Sequence, residues 1–217
     1  MKLSPGKKAI LFIILILFLD QFLKIWIKTH FVIGQEIHLF GRFGMLHFIE
    51  NNGMAFGMEM GGRPGKLILS IFRIIAICGI GWYLSGLVHK KANTGLILAI
   101  SAIMAGAIGN IIDSAFYGII FSESTYDSLA VLLPPEGGYS SFLHGKVVDM
   151  FYFPVINTHW PDWSPIRAGQ TLVFFRPVFN LSDTAITCGV FSIVIFQKWI
   201  FSDLTPENQE NAGAEQV

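Results

Sequence analysis

The sequence predicts an all-α membrane protein with four transmembrane helices, a small extracytoplasmic β element and a long outer loop. Three observations carry this. The 217-residue chain is 53% hydrophobic and 14% charged, with a mean hydropathy of +0.57, too apolar for an ordinary soluble domain. Four apolar runs, at 9–27, 67–88, 94–112 and 178–199, each approach the ~20 residues needed to cross a ~30 Å hydrocarbon core. The acids near their ends fall on one side of the membrane if all four runs span it, and charge near membrane depth is costly enough to mark a site. The formal net charge is +0, which makes no case for a nucleic-acid partner.

The first run follows Lys7 and Lys8 as a signal peptide would. No small-x-small cleavage site comes after it, and the chain continues as Asp20-Gln21-Phe22-Leu23-Lys24, so a retained helix is expected. Asp20 stands ~18 Å up that helix from Lys8. Lys24 is one turn further on the same face and can pair with it. A packing pair and a catalytic pair are both open readings. Lys28 is expected at the outer interface. Residues 36–57 have extended character, with Gly41-Arg42 and Asn52-Gly53 as turn signals.

In the second run Arg73 lies ~10 Å below the outer edge, counting from Lys66, and either snorkels upward or pairs with an acid. In the third, Ala102, Gly106 and Asn110 recur every four residues, and Asp113 continues that face. Small residues there allow a second helix close in, and Asn can bond across. Residues 114–177 carry Pro134-Pro135, Gly137-Gly138 and Trp160-Pro161-Asp162-Trp163. That length is unusual for a structureless loop. Within it, Val147-Val148-Asp149-Met150-Phe151 sets one acid in an apolar stretch, a strand or a helix end. The fourth run opens with Asn180-Leu181-Ser182-Asp183-Thr184. Asn180, Asp183, Thr184 and Thr187 share a helix face, although Ser182 or Asp183 could serve only as an N-cap. Cys78 and Cys188 lie inside apolar runs and are expected to be small core residues rather than a redox pair.

Lys2, Lys7 and Lys8, the link His89-Lys90-Lys91, and Lys198 fall on one side of a four-span topology, which the positive-inside rule makes cytoplasmic. Segments 28–66 and 114–177 then lie outside. Residues 1–201 form a single domain in this reading, with 114–146 as an outer insertion. The acidic tail 202–217 is expected to be disordered and cytoplasmic.

Taken in order, Asp20-Gln21-x-x-Lys24, Asn51-Asn52-Gly53-Met54-Ala55-Phe56-Gly57, Gly106-Ala107-Ile108-Gly109-Asn110-Ile111-Ile112-Asp113, Val147-Val148-Asp149-Met150 and Phe179-Asn180-Leu181-Ser182-Asp183-Thr184-Ala185 resemble the motifs of bacterial lipoprotein signal peptidase, or signal peptidase II. The resemblance implies a membrane-embedded aspartic endopeptidase. It would remove the signal peptide of a diacylglyceryl-modified prolipoprotein, cutting just before the lipidated cysteine. The family's catalytic pair falls on Asp149 and Asp183. Asp20, Lys24, Asn52, Gly53, Asn110, Asp113 and Asn180 match other motif positions and are candidate substrate-binding or supporting residues. The family's extracytoplasmic β-like cradle agrees with the reading of 36–57. Two departures stand out: Ser114 occupies a position where the family usually has Arg, and the segment 114–146 is long, an extra flap or outer element. Ser182 replaces an Ala.

Two neighbouring aspartates share a proton. The ionised one takes a proton from water, and the other hydrogen-bonds or protonates the scissile carbonyl. Asn110 and Asn180, each about one turn from an acid, would orient the pair or bind substrate backbone. No metal or organic cofactor is implied. The partners expected are the prolipoprotein and membrane lipid, with the enzyme a monomer in the bacterial inner membrane, its termini cytoplasmic and its site near the outer leaflet. No H-E-x-x-H, G-x-S-x-G or G-x-G-D signature offers another protease class. The reading from a different class is a small transporter or proton-relay subunit using Asp20, Asp113 and Asp183. Against it, the acids gather at one surface and no inverted repeat is evident.

Overall fold

The computed structural model describes residues 3–41, 43–53, 62–154, 156–159, 163, 171–174 and 177–200. The expected tail 202–217, the end of the 36–57 segment and most of the Trp160–Trp163 stretch lie outside the described residues. The chain divides into two compact units. One holds Met1–Gln21, Ile68–Ile112 and Leu181–Val217, the other Phe22–Leu67 and Asp113–Asn180.

Helix α1 runs Pro5–His30, α2 Gly62–His89 and α3 Thr94–Ile112. After α3 the helical path widens into a π turn, Asp113–Tyr117, and ends in the short α4, Gly118–Ile120. The helices Pro5–His30, Gly62–His89 and Thr94–Ile120 are long and apolar enough to cross a membrane. In the first unit, Ala9, Leu84, Leu87, Leu96, Ile97 and Ile200 form a buried cluster. Phe18, Phe72, Ile75, Phe191 and Ile195 instead point outward, the inverted pattern of helices solvated by lipid. Cys78 and Cys188 are among the exposed residues, contrary to the core placement expected of them.

The fourth apolar run is not one helix over 178–199. Val178–Phe179 forms strand β6, Asn180 ends it, α5 covers Leu181–Ile195, and a break at Phe196 precedes α6, Gln197–Ile200. The reason is a distant partner: Val178 and Phe179 pair with Tyr152 and Phe151, an alternative that local hydropathy cannot reveal. The expected close approach to α3 is present. A Cβ on Gly106 would lie 2.2 Å from the Ser182 carbonyl oxygen, and one on Gly109 2.0 Å from Ser182 Oγ. Only glycine permits backbone contact this close.

The second unit is built on an antiparallel sheet in the order β1-β2-β3-β6, with β1 Glu36–His38, β2 Met45–Asn51 and β3 Val147–Tyr152. The expected β element is present over its described part, Glu36–His38 and Met45–Asn51, and the Asp149 segment is a strand of the same sheet. Strands β4, Ile156–His159, and β5, Thr171–Phe174, make a separate hairpin. Beyond the π turn and α4, segment 114–146 has little regular structure but folds back on its own helical start. Gly145 N donates to the Ser114 carbonyl at 2.8 Å, Ser140 N to Gly118 at 2.7 Å and Leu133 N to Ile120 at 2.7 Å.

Candidate active site

Asp149 is 2% exposed, and both its carboxylate oxygens receive a side-chain amide. Asn180 Nδ2 donates to Oδ1 at 2.7 Å and Asn51 Nδ2 donates to Oδ2. Asn180 holds this place because strand β6 brings it beside β3, and Nδ2 also reaches the Val148 carbonyl at 3.3 Å. Asn51 is oriented by its other end: Oδ1 accepts Gly53 N–H, which leaves the NH2 group for Asp149. Gly53 has φ +87°, a backbone region where a side chain would be strained. The Asn52-Gly53 turn therefore aims Asn51.

One residue away on β3, Val148 N donates to Asp113 Oδ2 at 3.2 Å. The same oxygen pairs with Lys24 Nζ at 2.9 Å, and both side chains are fully buried. Asp113, the first residue of the π turn, thus fastens β3 from one side. Asn52 Oδ1 accepts from Lys66 Nζ at 3.0 Å.

In the first unit, Asn110 Nδ2 donates to Asp183 Oδ1 at 2.8 Å. Asp20 accepts the backbone N–H of Ser182 at 2.9 Å. Ser182 sits in the opening turn of α5, where backbone N–H groups lack helical partners and a carboxylate is favoured by the helix dipole. Gln21 Nε2 links Asp20 at 3.1 Å to the Gly109 carbonyl at 3.3 Å.

The nine candidate residues therefore resolve into bonded sets: Asp149 with Asn180, Asp113 with Lys24, and Asn52 and Gly53 in the turn beside Asn51, all in one unit; Asp183 with Asn110, and Asp20 at α5, in the other. Sequence reasoning passed over Asn51, although it opens the Asn51-Asn52-Gly53 motif. It also passed over Glu50 and Ser124, and it placed Lys28 at an interface. Lys28 is instead fully buried, with Nζ donating to Glu50 Oε1 and, at 2.8 Å, to Ser124 Oγ. The available signal was its one-turn spacing from Lys24, which gives a second cation on the same face of α1. Tyr139 packs over this group, its ring centre 5.1 Å from Lys28 Nζ and 5.4 Å from Lys146 Nζ. Burial pushes the Tyr139 phenol above its usual range, so it stays neutral and accepts Lys146 N–H at 2.6 Å. Among the described residues, no three His, Cys, Asp or Glu side chains group as a metal site.

Helices apolar and long enough to cross a bilayer define a membrane protein, and its buried carboxylates are held by carboxamides. The profile of the family described as signal peptidase (SPase) II matches residues 12–199. A protein of Porphyromonas gingivalis (strain ATCC BAA-308 / W83) named lipoprotein signal peptidase is 47% identical over 195 residues, covering 89% of this chain and 84% of that protein. Another of that name, from Amoebophilus asiaticus (strain 5a2), is 38% identical over 181 residues, covering 82% and 72%. A bacterial membrane enzyme structure obtained by the in meso method at 1.9 Å has the same fold, with a TM-score of 0.56 at 24% identity over 87% of this chain and 91% of that one. The chain belongs to the signal peptidase II family and is a peptidase.

Proposed function

We propose that this protein cleaves the signal peptide from diacylglyceryl-modified prolipoproteins, just before the lipidated cysteine, with Asp149 and Asp183 as the catalytic pair. The observation that carries this reading is the bond from Asn180 to Asp149 at 2.7 Å. Asn180 stands three residues before Asp183 in the same Phe179–Ala185 motif. Asp183 has its own carboxamide in Asn110.

The chemistry needs one ionised and one protonated carboxyl group, a condition a close pair imposes on itself. The ionised carboxylate accepts a proton from water as the water oxygen bonds to the scissile carbonyl carbon. The protonated partner gives its proton to the carbonyl oxygen. Collapse of the tetrahedral intermediate breaks the C–N bond: one carboxyl group gives a proton to the leaving amine while the other carboxylate takes one from a hydroxyl of the intermediate, which restores the singly protonated pair and releases the acid. The pair titrates as a unit, so the two parts belong to the pair rather than to one residue. Asn51, Asn180 and Asn110 hold the carboxylates in place.

In this reading α1, α2, α3 and α5 all cross the bilayer, both termini are cytoplasmic, and the site lies near the outer leaflet of the bacterial inner membrane. The enzyme works as a monomer, with the substrate's acyl chains remaining among lipid. The test is cleavage of a diacylglyceryl prolipoprotein by purified protein in detergent or lipid, read as the shorter product on a gel. Asp149→Asn and Asp183→Asn, each shown to be folded, should lose about 10²–10⁴-fold in rate. Full activity in either variant would move the chemistry to another acid.

A further inference from the structure

We infer that Glu50, clamped by Lys28, is a positioning residue for Asp149: it sets the β2–β3 register that turns Asn51 toward the carboxylate. The inference rests on the reading of Asp149 as catalytic. Strand β2 is bulged. Met45 and Leu46 face Tyr152 and Phe151, but Ile49, Glu50 and Asn51 face Asp149, Val148 and Val147. Between Leu46 and Ile49, β2 therefore has one residue more than β3. The backbone of Phe48 in the bulge is satisfied elsewhere: its N–H donates to the Gln35 carbonyl at 3.0 Å, and its carbonyl accepts Gly34 N–H at 2.8 Å.

Beyond the bulge, directly paired residues share a face and successive residues alternate. Asp149, Ile49, Asn51 and Val147 lie on one face, with Glu50 and Val148 on the other. Asn51 is diagonal to Asp149 and bonds it across that face. A slip of one residue would exchange the faces, turning Asn51 away and Glu50 toward the catalytic acid.

Glu50 resists that slip. Its Oε1 accepts from Lys28 Nζ and, at 2.9 Å, from Ser124 Oγ, while Lys146 Nζ lies 3.7 Å from Oε2. The Lys28 and Glu50 side chains are 0% and 3% exposed. In a slipped register Lys28 would remain as a buried cation without its carboxylate, a costly state. The clamp also reaches the insertion, since Ser124, Tyr139 and Lys146 belong to it. The insertion thereby participates in fixing the strand that carries the site.

The experiment compares wild type, Asp149→Asn, Asn51→Ala, Glu50→Gln, Lys28→Arg and the double variant Lys28→Met/Glu50→Gln in lipid nanodiscs. Thermal unfolding is measured beside kcat and KM on a diacylglyceryl prolipoprotein. Glu50→Gln alone should lower the melting temperature. The double variant, which removes both charges, should recover it yet keep a kcat about tenfold below wild type, with KM unchanged. Adding Asn51→Ala to the double variant should cost nothing further, because the two changes remove one interaction. Lys28→Arg should preserve kcat. A double variant with wild-type kcat, or an Asn51→Ala effect that multiplies independently, would overturn the inference. An active Asp149→Asn would instead overturn the reading of the site on which it stands.

Discussion

Asn180 is the residue through which the site is most economically built. One amide nitrogen satisfies Asp149 Oδ1 at 2.7 Å and the Val148 carbonyl at 3.3 Å, in a fully buried position. Removing one partner so that a buried polar group is left unsatisfied costs about 1–3 kcal/mol. Asn180→Ala should therefore lower kcat by about 10–100-fold while the protein still folds; turnover at the wild-type rate would remove the role assigned to it. Lys24 makes a second prediction of a different kind. Its pair with Asp113 is fully buried, and breaking a buried pair by removing one partner costs about 3–5 kcal/mol. Lys24→Met should show that loss as a lower unfolding temperature in detergent, and a transition unchanged from wild type would sink the estimate. The sequence marked Asp20, Lys24 and Asp113 as polar groups to explain, but helix spacing speaks only of neighbours on one helix. That Lys24 meets Asp113, and that Asp20 receives a backbone N–H from α5, depends on which elements pack together.

Among the elements, α3 was the most legible. Its bounds, Thr94–Ile112, agree with the expected 94–112, and its small-residue face does meet α5. Gly109 makes the contact testable. A methyl there would sit 2.0 Å from Ser182 Oγ and 2.7 Å from Asp20 Oδ2, displacing the carboxylate that holds the start of α5. Gly109→Ala should destabilise by about 1–3 kcal/mol, the usual cost of overpacking. Gly79 is the control: nothing lies within 4 Å of its would-be Cβ, so Gly79→Ala should be neutral or stabilising by about 0.5–1 kcal/mol. Thermal unfolding of the two variants in the same detergent decides the matter, and equal shifts would remove the packing argument. The start of α5 was misread because Val178–Phe179 is as apolar as the helix that follows. Its partner, Phe151–Tyr152, is remote in sequence. The β2 bulge was illegible for a similar reason: a period-two pattern does not record where an extra residue will be absorbed.

At the scale of the whole molecule, hydropathy established a membrane protein but not how many times it crosses. Among the described residues three helices have spanning length, while α5 has 15 residues, about 22 Å of helix against a hydrocarbon core of about 30 Å. The proposed fourth crossing needs α6, a locally thinned bilayer, or both, each a modest cost. Thiol labelling separates the cases. In a Cys78→Ala/Cys188→Ala background, needed because both thiols are exposed, Glu136→Cys in the insertion should react with a membrane-impermeant maleimide in intact spheroplasts. Lys91→Cys, in the link between α2 and α3, should react only after permeabilisation. Both positions are exposed, and a single candidate span, Thr94–Ile120, separates them. Labelling of both from the same side would mean that this helix does not cross. A tag at the C-terminus supplies the remaining constraint. If it is also protected until permeabilisation, α5 returns the chain to the side of Lys91, as the four-span topology requires. If it is reached from outside, α5 does not cross, and Asp183 would stand on a helix that enters the bilayer without leaving it.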